Sequence, residues 1–140
     1  MEEKLEIILV TYNRKDHLQN TFNQIFDANS PIKHIPITIL NNKSTDGTSE
    51  LIEKYKTQFP NITHIINNYN IGGDANIAKA FEIATREYFW ILCDDDEFDF
   101  SHWSEVEQAI TDNYDAIVVA NYINPKQDIA QLVKQMTFVP

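Results

Sequence analysis

A mostly parallel α/β sheet with helices on both faces is the architecture this sequence calls for. Short, apolar, β-branched runs alternate with longer segments whose apolar residues recur at helical spacing. The first of those runs lacks the polar alternation of a half-wet strand, as expected of a parallel strand covered on both faces. Polar, turn-forming stretches sit directly after four of the runs, where open α/β sheets place their ligands.

The elements follow in chain order. Leu5 to Val10 is the first strand. From Asp16 to Ala28, Leu18, Phe22, Ile25 and Phe26 fall on one helical face, and Ser30-Pro31 ends the segment. Ile35 to Leu40 is the second strand, with Pro36 near its start, where proline is tolerated. Leu51, Ile52, Tyr55 and Phe59 mark a second helix, stopped by Pro60, and Ile62 to Ile66 is a third strand. Ala75 to Thr85 reads as a third helix with Ala78, Phe81 and Ala84 on its apolar side. Tyr88 to Leu92 is the fourth strand. Ser101 is placed to cap a helix from His102 to about Thr111. Ala116 to Ala120 reads as a fifth strand, and Ile129, Leu132, Val133 and Met136 give the tail an amphipathic helix.

The 140 residues suit one domain, 1–140, and a hydrophobic content of 43% is enough for a core. A formal net charge of -10 argues against a broad nucleic-acid surface. It leaves room for a small phosphate ligand bridged by a divalent cation. Cys93, the single cysteine, allows no intrachain disulfide and lies in an apolar run, so it reads as a small buried residue. No stretch has the ~20 apolar residues of a membrane span. A soluble, cytoplasmic protein is expected, one that a peripheral seat at a membrane would also suit.

Four loops carry the candidate chemistry. Thr11-Tyr12-Asn13-Arg14 offers a tyrosine able to stack on a base, although a plain turn with an exposed arginine would look the same. In Asn41 to Thr48, Ser44 or Thr45 suits a helix cap, with Asp46 near the positive end of the dipole. The amides Asn41 and Asn42 are left for another task, such as base recognition. Asn70-Ile71-Gly72-Gly73 lets backbone approach a ligand at a helix start, but it is neither a P-loop nor GxGxxG. Asp94-Asp95-Asp96 follows the fourth strand directly. Three crowded aspartates repel one another, and a divalent cation with a preference for oxygen, Mg²⁺ or Mn²⁺, removes that repulsion. A solvated acidic loop is the plainer reading. The four histidines have no ligand-like spacing.

In this order, the segments resemble the family 2 glycosyltransferases of the GT-A fold, a Rossmann-like nucleotide-binding sheet. Ile8 to Arg14 is similar to the opening strand and Thr-Tyr-Asn-Arg turn of that family. Ser44 to Thr48 is similar to its Ser-Thr-Asp-Gly-Thr helix start, Asn70 to Asn76 to its Asn-x-Gly-Gly segment, and Asp94-x-Asp96 to its Asp-x-Asp metal motif. The resemblance implies an inverting, metal-dependent transfer of a sugar from a nucleotide diphosphate to an acceptor hydroxyl, in polysaccharide or glycoconjugate synthesis. Thr11, Tyr12 and Asn42 would then line the nucleoside pocket, with Asn13 and Arg14 in the same donor-binding turn. Asn76 would lie beside ribose and phosphates, Asp94 and Asp95 would face the donor, and Asp96 with Asp94 would hold Mn²⁺ or Mg²⁺. A UDP-sugar is the favoured donor.

Two features depart from the family pattern. Asn41-Asn42 stands where members usually carry acidic residues, so the base would lose a charge-assisted hydrogen bond. No residue reads as the base that deprotonates the acceptor, which belongs to the family's downstream half. The chain therefore reads as a donor-binding part without its acceptor-binding part, paired with a separate C-terminal partner or with a second copy through the tail helix. A non-catalytic nucleotide-sugar-binding or regulatory module is the alternative. A sugar-phosphate nucleotidyltransferase would need glycines after the first strand, and a phosphate-receiver domain would need its acidic pair there.

Overall fold

All seven residues of strand β1, Leu5–Thr11, are buried, which makes it the centre of the sheet. The structure is a computed structural model and describes residues 3–115. The remaining elements are α1 (Lys15–Ile25), β2 (Ile37–Asn41), α2 (Thr48–Lys56), β3 (Ile62–Ile66), α3 (Gly73–Ile83), β4 (Tyr88–Cys93) and α4 (Trp103–Thr111). The strands lie in the order β3-β2-β1-β4, and every neighbouring pair is parallel.

Alternate side chains of β1 feed two cores, as the period of a strand dictates. Leu5, Ile7 and Leu9 pack with Leu18, Phe22 and Ile25 of α1, Leu51 and Ile52 of α2, and Trp103 and Ile110 of α4. Ile8 and Val10 pack on the opposite face with Leu40 and with Ala80 and Ile83 of α3. The expected mostly parallel α/β sheet with helices on both faces is what the chain forms. Each fully buried Leu, Ile or Phe in these layers contributes about 1.5–3 kcal/mol relative to exposure.

Some expectations shift locally. Strand β2 starts at Ile37, after Ile35 and Pro36. Pro36 lacks an N–H to give to a ladder, but its carbonyl accepts from Ile7 N at 2.8 Å. Helix α1 ends at Ile25 with Phe26 as its C-cap, short of Ala28. Helix α3 starts at Gly73, ends at Ile83, and buries Asn76 and Ala80 rather than Phe81. The ring of Phe81 is 59% exposed and meets Phe89 edge-on at 5.5 Å. The segment is short and rich in small residues, so its apolar pattern under-determined which face turns inward. His102, not Ser101, is the N-cap of α4, and Ser101 N bonds Asp99 Oδ1 instead. The fifth strand and the tail helix expected from the sequence lie outside the described residues.

Candidate functional site

The chain leaves β1 toward β2 on one side and reaches β4 on the other. The carboxyl ends of β1 and β4 therefore flank the crevice where open α/β sheets bind ligands. The register sets Val10 opposite Cys93 and Thr11 opposite Asn41. Asn42 N continues the ladder to Thr11 O at 2.9 Å, and Asn67 N continues it to Asn41 O at 2.9 Å. Asp94, Thr11, Asn41, Asn42 and Asn67 thus form a polar row along one edge of the sheet, built by main-chain pairing.

Side-chain parity divides the row between the two faces. Thr11 and Asp94 continue the face of Leu9 and Leu92, which packs on α1. Thr11 Oγ1 donates to Asp94 Oδ2 at 2.6 Å, and Thr21 Oγ1 of α1 donates to Asp94 O at 2.8 Å. Gln24, one turn further along α1, donates from Nε2 to Asp96 O at 3.2 Å and accepts Phe98 N on Oε1 at 3.0 Å. Helix α1 thus holds the backbone of the acidic loop at three points. Asp94 is 5% exposed. Burial pushes its carboxyl above the usual aspartate range, against the pull of the Thr11 hydrogen bond and the Arg14 charge. Asp95 is paired with the Arg14 guanidinium, which also lies 3.6 Å from Asp94 Oδ1. Asp96 turns back and accepts Cys93 N on Oδ2 at 2.9 Å. Burial first, then Asp96, Asp95 and Asp94, raise the Cys93 thiol pKa, which suits an inert residue rather than a nucleophile.

The opposite face carries an amide network. Asn42 Nδ2 donates to Asn70 Oδ1 at 2.8 Å and to Gly72 O at 3.2 Å. Its Oδ1 accepts from Asn67 Nδ2 at 2.9 Å and from Ile71 N at 3.0 Å. Two donors and two acceptors are the whole capacity of an amide, so internal bonds use all of Asn42. Asn67 Nδ2 also reaches Asn76 Oδ1 at 2.8 Å, Asn76 Nδ2 reaches Leu40 O at 3.2 Å, and Lys79 Nζ reaches Asn67 Oδ1 at 2.6 Å. The network shapes the Asn70–Gly72 turn. Gly72 there has φ 90, a left-handed backbone that side-chain-bearing residues rarely adopt.

The two loops between these clusters brace each other. Asn13, at φ 51, donates from N to Ser44 Oγ at 2.9 Å and accepts Thr45 N on Oδ1 at 2.7 Å. Asp46 receives Lys15 N at 2.9 Å, Thr48 N at 3.1 Å and Thr48 Oγ1 at 2.6 Å. Gly47, not Ser44 or Thr45, is the N-cap of α2, and the Asp46 carboxylate bonds the first residue of both α1 and α2. Burial pulls its carboxyl up, but the Thr48 and Lys15 hydrogen bonds outweigh it and hold the group below the usual range. Asn41, fully buried, accepts Ser44 N at 2.9 Å and leans on His64 Nε2 at 3.3 Å, and His64 Nδ1 meets Glu53 at 2.7 Å. Tyr12 is 42% exposed beside the crevice.

The structure thus joins Thr11 and Arg14 to Asp94, and Arg14 to Asp95. It sets Asn42 and Asn76 on the other face and gives Asp96 an internal partner. Thr21, Gln24, Asn67 and Lys79 were not singled out by the sequence. Thr21, Gln24 and Lys79 have the spacing of ordinary polar residues on amphipathic helices, and Asn67 opens the loop after β3 as an ordinary turn residue does, so no local signal marked them. Asp94 to Asp96 supply the hard oxygen donors that Mn²⁺ or Mg²⁺ prefers. Among the described residues no group of three His, Cys, Asp or Glu converges to hold a cation by itself. The donor set fits a cation shared with a diphosphate, the usual arrangement when one or two carboxylates serve a substrate-bound metal.

Known proteins resemble this chain in sequence and in fold. Abequosyltransferase RfbV of Salmonella typhimurium is 35% identical over 94 residues, which is 66% of this chain and 28% of that protein. Residues 1–349 of S. aureus TarS, solved with UDP-GlcNAc, match with TM-score 0.65 at 22% identity, over 78% of this chain and 31% of that one. The mannosyltransferase PcManGT of Pyrobaculum calidifontis, solved with GDP-Man and Mn²⁺, matches with TM-score 0.57 at 21% identity, over 68% and 28%. These two likenesses bear on the fold, and the chain spans less than a third of each of the three proteins. The sequence profile of glycosyl transferase family 2 matches residues 6–138, and the chain belongs to that family.

Proposed function

We propose that the chain binds the nucleotide-diphospho-sugar donor of an inverting sugar transfer, over the carboxyl ends of β1 and β4. The observation that carries this reading is the buried pair Thr11–Asp94 at the strand crossover, with Asp95 and Asp96 beside it. Tyr12 offers an aromatic face for the base, and Asn13 and Arg14 hold the turn that presents it. Asn42, saturated by its own loop, supports the nucleoside side through the Asn70–Gly72 turn rather than by spare donors. Asn76 positions the start of α3 from within the same network. Asp94 and Asp96 are the proposed ligands of Mn²⁺ or Mg²⁺, and Thr11 and Thr21 fix the orientation of Asp94. When bound, the cation neutralises the negative charge that gathers on the departing diphosphate.

A UDP-sugar is the proposed donor, in line with the UDP-GlcNAc held by TarS. The donor of PcManGT, GDP-Man, is the competing chemistry. The acceptor hydroxyl and the base that deprotonates it belong outside the described residues in this reading. No helix among the described residues is long and apolar enough to cross a membrane.

Calorimetry with UDP, GDP and their sugars, with and without Mn²⁺ or Mg²⁺, tests the proposal. Binding should require the cation and favour UDP. It should be lost in Asp96→Asn, which keeps an acceptor for Cys93 N but removes the charge. Unchanged cation-dependent affinity in that variant would end the metal assignment.

A further inference from the structure

Arg14 is the cation that the structure pairs with the acidic loop. Its guanidinium bonds Asp95 and lies 3.6 Å from Asp94 Oδ1. The backbone beneath it is fixed from both sides, since Asn13 is tied to Ser44 and Thr45, and Lys15 N to Asp46. The Arg14 and Asp95 side chains are 45% and 46% exposed, and an ion pair exposed on both sides is weak. A rigid anchor with a loosely held head suits a group that changes partners. Its planar fork of N–H donors matches two phosphate oxygens as well as it matches a carboxylate.

We propose that Arg14 is a built-in counter-cation that releases Asp94 and Asp95 when the cation and the donor arrive, and turns onto the donor's diphosphate. The proposal rests on the metal-diphosphate reading above. Arg14 then does two opposed things. Before the donor binds, its positive charge competes with a divalent ion for Asp94, and through its pair with Asp95 it sits beside the ion's seat. After binding, it adds a charge-assisted grip on the phosphates. The cation alone is held poorly, and cation and nucleotide reinforce each other.

The test is a titration of Mn²⁺ by electron paramagnetic resonance on the 140-residue chain, with and without UDP. It is run for the wild type, Arg14→Gln and Arg14→Lys, with melting curves to confirm folding. Arg14→Gln should bind Mn²⁺ alone at least three-fold tighter, and UDP at saturating Mn²⁺ at least three-fold weaker. Arg14→Lys should fall between it and the wild type. If the wild type binds Mn²⁺ with UDP and Arg14→Gln changes neither affinity, or weakens both, the Arg14 proposal is overturned and the metal reading stands. A wild type that binds Mn²⁺ neither alone nor with UDP overturns both.

Discussion

The hydroxyl of Thr11 donates to a carboxylate oxygen of Asp94 at 2.6 Å, across 83 residues of sequence and between β1 and β4, where the strand order reverses among the described residues. The bond satisfies one oxygen of a buried acid whose charge is disfavoured there. A group whose folded pKa is raised contributes its stability at low pH and loses it as pH rises through the folded value. Asp94 is therefore a cost to the fold at neutral pH. Asp94→Asn, which keeps an acceptor for Thr11, should be more stable at pH 7 by about 0.5–2 kcal/mol, the range of single stabilising changes. Its gain over the wild type should shrink on acidification toward the usual carboxylate range. The same variant should lose cation-dependent UDP binding. Thermal melts across pH, with calorimetry on the same samples, check both halves.

Asp46 has the opposite sign. Its folded pKa is depressed, so its contribution is present above the unfolded value and lost as pH falls through the folded one. Asp46→Ala leaves Lys15 N and Thr48 N, at the first residues of α1 and α2, without their carboxylate partner and should cost about 1–2 kcal/mol. The difference from wild type should narrow below about pH 4, as the unfolded-chain carboxyl protonates. Urea unfolding at neutral and acidic pH measures it.

Gln24 touches the acidic loop only through backbone atoms, Asp96 O and Phe98 N. Gln24→Ala should lower stability by about 1–2 kcal/mol by leaving two part-buried polar groups without their partner. It should also weaken Mn²⁺-dependent UDP binding, although Gln24 is not assigned to the ligand. Gln24→Glu retains the acceptor for Phe98 N and should recover part of both losses. A variant that loses stability with no change in affinity would show that the hold is structural alone.

At Asn42 the amide is needed as a donor. Asn42→Asp would set a carboxylate oxygen against Asn70 Oδ1 and Gly72 O, two acceptors that now receive the Nδ2 hydrogens. The loss should be about 1–3 kcal/mol, the penalty for a buried hydrogen bond replaced by opposed acceptors. This also gives a physical reason for an amide where the family pattern has an acid. The neighbouring Asn70 is committed to Gly72 N at 2.8 Å, and turning its amide over would forfeit that bond. Chemical denaturation of the variant, with UDP binding alongside, checks the assignment.

Helix boundaries lie one to three residues from their sequence positions because helix ends depend on partners beyond the local pattern. Asp46 reaches Lys15, so the start of α1 is decided by a residue 31 positions away. Phe81 faced outward because a helix of small residues presents no single dominant apolar stripe. The loops were legible as loops, and their order pointed to the family, because turn residues and strand ends are local signals.

By itself the sequence determined the alternation of strands and helices, the four polar loops at strand ends and the acidic run after the fourth strand. These depend on short-range periodicity and on side-chain size. Only the tertiary structure decided that Asp94 and Thr11 share one face while Asn42, Asn67 and Asn76 share the other. It alone showed that Asn42 is spent within its own loop, and that Thr21 and Gln24 of α1 hold the acidic loop in place. Those facts depend on strand register and helix placement. A polar side chain of ordinary appearance acquires its role only from what the folded chain sets within hydrogen-bonding reach of it.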